Sequence, residues 1–180
     1  MRELLKESIE IKRKPEEVFK YLRLIEPRLR LNPSYKLLEF KKLSEGSIEK
    51  GFRYRVKAIA GNKIIEYEGE VIEFIENERL TTADTKGRIK VTLTLKPTDK
   101  GTLLTHEEEF DLPDEILFCV EEEKEIPLWQ KIIQLIITVE STQLNQRSMV
   151  RESLLLALRK NLRLWLRRIK EELETNVKYF

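Results

Sequence analysis

From Arg53 to Phe110 the chain alternates. Phe52, Tyr54, Val56 and Ala58 are spaced by two, with Arg53, Arg55 and Lys57 between them. Ile65, Tyr67, Gly69 and Val71 repeat the pattern against Glu66, Glu68 and Glu70, and Ile89, Val91, Leu93 and Leu95 repeat it against Lys90, Thr92 and Thr94. Period two with one apolar side is the mark of half-buried strands. The breaks between them carry turn chemistry: Gly61-Asn62, Asn77-Glu78, Lys86-Gly87 and Asp99-Lys100-Gly101. The pattern predicts strands over 52–60, 63–75, 79–85, 88–96 and 102–110, joined as a meander. A further strand over 35–43 precedes the loop SEGSIEKG. All six glycines fall between Gly46 and Gly101, so the middle is glycine-punctuated and both flanks are not.

The N-terminal flank opens with another strand, 4–12, in which Leu5, Ile9 and Ile11 share one side. Pro15 then stands where a helix can begin, with Glu16 and Glu17 in its first turn. PEEVFKYLRLI places Val18, Phe19 and Leu22 inward. Pro27 interrupts this helix and predicts a second short one over 26–31.

The C-terminal flank changes period. From Glu152 to Glu174 there is no Gly or Pro. Leu154, Leu155, Leu158, Leu162, Trp165, Leu166, Ile169 and Leu173 form one stripe on a 3.6-residue wheel. Arg159, Lys160, Arg163, Arg167, Arg168 and Lys170 lie outside it. This is a long amphipathic helix whose basic side reads as a solvated face, with an anionic membrane or RNA contact as the alternative. Leu156 and Leu164 lie off the stripe, where a partner could meet them. Between the last strand and this helix, 111–149 is the hardest part to read. Trp129, Ile132, Ile133, Ile136 and Ile137 favour a helix over 128–143 by length and a strand by β-branching. Either a cap on the adjacent cavity or a homodimer contact would use that apolar surface.

Strand, two short helices, six antiparallel strands and a long last helix form an ordered set, and local matches reinforce it. ESIEIKRKPEEVFKYL at 7–22 resembles the strand-to-helix start "I-x-A-P-x-x-V-F/W" of the START-like (SRPBCC) superfamily. The turn Glu49-Lys50-Gly51, EVIEFIENERL at 70–80 and PTDKGTLLTHEEEF at 97–110 are similar to later parts of the same pattern. The resemblance covers roughly 5–110 and 150–174. Arg13-Lys14, where small residues are commoner, and 111–149, where the usual connection is shorter, depart from it. The family implies an α+β helix-grip fold: one START-like domain over 1–180, a curved seven-stranded antiparallel sheet around the last helix, and an apolar cavity between them. The wall of such a cavity would comprise Tyr54, Val56, Tyr67, Gly69, Val71, Val91, Leu93, His106 and Glu108 from the sheet. Leu158, Leu162 and Trp165 would face them from the helix. Gly69 and Ala58 are small on this face and would leave room.

Composition narrows the chemistry. Charged residues make up 37% of the 180, mostly Glu, Lys and Arg, a tilt enriched in proteins from hot environments. The net charge is only +2, which gives no polyelectrolyte signal for nucleic acid. One cysteine, Cys119, fits a reducing compartment, and no segment is apolar enough for a signal core or a membrane span. These features read together as a cytoplasmic protein. No phosphate loop, Cys-x-x-Cys or His-Glu-x-x-His is present, and no cofactor or metal is called for. The sole histidine, His106, shares a strand face with Leu104, Glu108 and Phe110. His106 and Glu108 read as an acid–base or ligand-orienting pair, as a satisfied structural pair, or as an exposed strand end. Three functions follow. The first is a carrier or sensor for a lipid, isoprenoid or polyketide-like molecule. The second is a cyclase or dehydratase using His106 and Glu108. The third is an interaction module of chaperone-activator type.

Overall fold

The structure, a computed structural model, describes residues 2–61, 63–111 and 143–175, with side chains of the last span from Arg151 onward. The elements are β1 (Arg2–Ile11), α1 (Pro15–Leu22), α2 (Ile25–Arg30), β2 (Lys36–Lys42), β3 (Arg53–Ala60), β4 (Lys63–Ile75), β5 (Arg79–Asp84), β6 (Ile89–Thr98), β7 (Gly101–Asp111) and α3 (Gln143–Thr175). The expected insertion and its helix over 128–143 lie outside the described residues apart from Asp111 and 143–149. The latter belong to α3, which begins nine residues before Glu152.

The seven strands form one antiparallel sheet in the order β1-β7-β6-β5-β4-β3-β2. Each strand sets its neighbour's face. In the β3–β4 register, Tyr54 opposes Gly69, Val56 opposes Tyr67 and Ala58 opposes Ile65, so the apolar sets meet on one side. The other side carries charge. Arg55 binds Glu68 at 2.7 Å, and Arg53 binds the same carboxylate at 2.9 Å. Such exposed pairs contribute little stability. A one-residue slip would nonetheless bring these charges to the inner face, so they help specify the register. A bulge between Val71 and Glu73 shifts the alternation of β4. Phe74 therefore also turns inward and packs edge-on against Phe19 of α1, ring centroids 5.2 Å apart.

Two glycines are required by contact. A Cβ on Gly101, at φ 146°, would lie 2.1 Å from the Ile11 carbonyl oxygen. A Cβ on Gly69 would lie 2.5 Å from Cζ of Tyr54. The space expected to stay open over Gly69 is filled by that ring, which also stacks on Phe40 at 5.4 Å.

Pro15 opens α1, and the Lys14 N–H donates to Glu17 at 2.9 Å. Pro27 does not interrupt a helix. The break falls at Arg23 and Leu24, and Pro27 occupies the first turn of α2, where its missing N–H has no intrahelical partner to lose. The buried side of α2 consists of Ile25, Arg28 and Leu29.

Helix α3 lies over the concave face. Leu162, Trp165, Leu166, Ile169 and Leu173 are buried, and Leu155 and Leu158 are half-buried. Its basic side is not simply solvated, because part of it docks on β1. Arg151 pairs with Glu3 at 2.5 Å and Arg163 with Glu7 at 3.0 Å, while Arg159 stands 3.6 Å from Glu7. Nearer its C-terminus, Lys170 donates to the Glu10 carbonyl at 2.6 Å. Among the described residues no helix is long and apolar enough to cross a membrane.

Candidate functional site

A cavity of about 580 Å³ opens between α3, α2 and the sheet. Its size falls in the range usual for small-molecule sites, about 300–1,000 Å³. Leu158, Leu162 and Trp165 form the helix side. Leu5, Ile65, Ile89 and Val91 add apolar surface from three strands. The polar groups come from many elements: Arg28 of α2, Asn32, Ser34 and Tyr35 before β2, Tyr54 of β3, Glu66 and Tyr67 of β4, Thr82 and Asp84 of β5, Arg88 before β6, Glu108 and Asp111 of β7, and Asn161 of α3.

Of the side chains expected at a ligand, Tyr54, Tyr67, Val91, Glu108, Leu158, Leu162 and Trp165 stand on this wall. Val56, Val71 and Leu93 are packed into the core around it, and Gly69 lies beneath the Tyr54 ring. His106 is 0% exposed, which excludes the exposed strand end. Its ring sits edge-on to Trp165 with centroids 5.2 Å apart, and Nε2 is 3.5 Å from Oε2 of Glu108. Neither ring nitrogen makes a hydrogen bond among the described residues. A catalytic acid or base must reach the proton that it moves. His106 is sealed behind the wall, and Glu108 is the member of the pair that faces the cavity.

Sequence reasoning missed the charged group at the inner end, Arg28. It is 2% exposed, and its Nε has no hydrogen-bond partner among the described residues. Burial lowers the affinity of its guanidinium for the proton, while Tyr54, Tyr35, Tyr67 and Tyr21 around it act the other way. Its own carbonyl accepts a hydrogen bond from the Trp165 indole N–H at 2.8 Å, which ties α2 to α3 at this residue. One signal was available: Ile25, Arg28 and Leu29 are spaced i, i+3, i+4, so Arg28 occupies a stripe position.

The phenols are shifted by the same burial. Tyr35 is pushed up to about 12 and shares a hydrogen bond with Tyr67. Tyr67 is raised further by burial and by its tyrosine neighbours. Tyr54 is raised by burial, and its hydroxyl is hydrogen-bonded to Thr82. All three are therefore neutral near pH 7. Asp84 behaves oppositely. Burial works against its charge, but the Ile89 N–H at 2.9 Å and the Arg88 guanidinium at 3.1 Å outweigh that and hold the carboxyl below its ordinary value. Among the described residues no group of three His, Cys, Asp or Glu is placed to hold a metal ion.

No family model matches the chain, and no curated protein matches its sequence. Solved structures do. SA2116 from Staphylococcus aureus, a protein of unknown function, superposes with a TM-score of 0.64 at 14% identity, over 99% of this chain and 97% of its own. The Zhui aromatase/cyclase from Streptomyces sp. R1128 gives 0.64 at 12%, over 97% and 94%. Ara h 8.0201 gives 0.56 at 13%, over 98% and 100%. This chain has the START-like, helix-grip fold. At such identities the likeness is one of fold. In helix-grip terms, α3 is the gripped helix, β1 to β7 are the hand, and the cavity lies in the palm.

Proposed function

We propose that this helix-grip domain binds a small, largely apolar molecule in the cavity between α3 and the sheet, as a carrier or sensor. The observation that carries the reading is the cavity itself, about 580 Å³ of space between α3, α2 and the sheet that opens to solvent on one side. A concave, mostly apolar surface with convergent polar groups from several elements suits a small ligand. The occupant would be a lipid, isoprenoid or polyketide-like compound. The sealed position of His106 favours binding over an acid–base reaction at His106 and Glu108.

Two measurements test this. Mass spectrometry of an organic extract of the purified protein should detect a stoichiometric apolar compound. Fluorescence titration of a Trp129→Phe variant, in which Trp165 is the remaining indole, should saturate with long-chain or polycyclic ligands. Val91→Phe, filling the wall from β6, should weaken that binding at least tenfold. Absence of saturable binding to any apolar compound would return the domain to the interaction-module reading.

A further inference from the structure

We propose that the ligand carries a single carboxylate head group and that Arg28 receives it. This rests on the cavity being a ligand site, and it specifies the chemistry at the inner end of that site.

Arg28 is buried, and no carboxylate pairs with it among the described residues. Arginine is rarely buried unless paired. An unpaired buried ion costs several kcal/mol even after the surroundings relax. The tyrosines around it contribute dipoles but no counter-charge, because their hydroxyls stay protonated. The other carboxylates of the wall, Glu66, Asp84, Glu108 and Asp111, make no ion pair with it, and the groups whose charge acts on Arg28 are tyrosines. Asp84 is held by Arg88 and by the Ile89 N–H, Glu66 stands 3.7 Å from Arg55, and Glu108 lies 3.5 Å from His106. Arg28 is thus the one wall cation without an anion among the described residues, and it lines the space where a ligand would lie.

The local charge at Arg28 selects the head group, because this one guanidinium without a described carboxylate partner matches a monoanion. A phosphate monoester carries about −1.5 to −2 at neutral pH and would add excess negative charge to a wall that already holds Glu66, Asp84, Glu108 and Asp111. A planar carboxylate also fits the guanidinium fork with two parallel hydrogen bonds. The hydroxyls of Tyr35 and Tyr67 lie on the same wall and can donate to a carboxylate. Trp165 fixes the backbone from which Arg28 projects. The tail would then run along Leu162, Leu158, Val91 and Ile89.

The test compares head groups on one chain length: dodecanoate, dodecan-1-ol, dodecyltrimethylammonium and dodecyl phosphate, each titrated by calorimetry. Dodecanoate should bind on the order of 10- to 100-fold more tightly than dodecanol, the worth of hydrogen bonds to a charged group. The cation should bind worst. Arg28→Met should abolish the preference while retaining dodecanol binding, and Arg28→Lys should restore part of it. Equal binding of acid and alcohol by the wild type overturns the assignment and leaves the apolar site standing. So does a preference that survives in Arg28→Met. Tighter binding of dodecyl phosphate than of dodecanoate overturns the choice of carboxylate. Failure of both dodecanol and dodecanoate to bind refutes the ligand site itself. The wild-type series needs no variant, so a misfolded Arg28→Met does not protect the proposal.

Discussion

Replacing Arg28 by Met should make the empty protein more stable. Core substitutions normally destabilise, and removing one partner of a buried ion pair is among the worst. Arg28 differs because no described carboxylate is left behind when it goes. Methionine follows much of the same aliphatic path and fills irregular space. The variant loses the attraction of the tyrosine hydroxyls and gains the whole desolvation cost of the guanidinium. Replacing buried ionic groups by apolar ones stabilises by about 1–4 kcal/mol where it helps at all. Methionine forgoes the attraction between the guanidinium and the surrounding tyrosines, so the lower end of that range, about 1–2 kcal/mol, is expected. For a chain of this size that is a rise in Tm of roughly 2–8 °C. The assay is thermal and urea unfolding of extracted, ligand-free protein, followed by circular dichroism. Dodecanoate at 100 times its Kd should then stabilise the wild type by about 2.7 kcal/mol and Arg28→Met far less. The order of the two proteins should therefore shrink or reverse on adding ligand. A ligand-free Arg28→Met that melts several degrees below wild type would refute the reasoning, since the guanidinium would then already be satisfied within the fold.

Gly69→Ala puts a Cβ about 2.5 Å from the buried Tyr54 ring, so it should cost roughly 1–3 kcal/mol in urea unfolding; a neutral result would mean that the ring is free to move. Trp165→Phe leaves the Arg28 carbonyl without its donor and should cost about 1–3 kcal/mol, with head-group preference weakened as well. Asp84 has a folded-state pKa below its unfolded value, so its contribution is complete above the unfolded pKa and is lost as pH falls through the folded one. Asp84→Asn should therefore be less stable than wild type at pH 7, and the gap should close as pH falls through and below the ordinary carboxylate range; a gap independent of pH would assign the effect to packing.

The strands were legible because alternation is a strong signal when each strand has one wet face. Tyr54, Val56, Tyr67 and Val91 were assigned to the inner side on that ground alone, and the wheel assigned Leu162 to Leu173 in the same way. The failures occur where one residue departs from its periodic class. Arg28 sits at a stripe position, but its charge argues against burial, and nothing local reveals that it goes in unpaired. Glu7 falls between Leu5 and Ile9 on the inner side of β1, and its partners, Arg159 and Arg163, are 150 residues away. The bulge of β4 has no glycine or proline to announce it, so the inward turn of Phe74 was not legible. The start of α3 was placed late because QLNQRSMV carries too few apolar residues for a stripe. Gly69 looked like spare room because smallness along one strand is visible in sequence, whereas the ring crossing it from the next strand is not.

The attachment of α3 has a kinetic consequence. Its C-terminal half is held by Leu166, Ile169 and Leu173 in the core, whereas the stretch N-terminal to Leu162, with Leu155 and Leu158 only half-buried, is tied to β1 through Glu3 and Glu7 as well. Salt acts unequally on the two. At 0.15 M the Debye length is about 8 Å, and partly exposed charge pairs weaken as it shortens, while apolar contacts do not. The helix is thus fastened like a strap, riveted at one end and buckled at the other. Added salt loosens the buckle, so a molecule bound in the palm as proposed should leave faster while the melting temperature of the sheet barely moves.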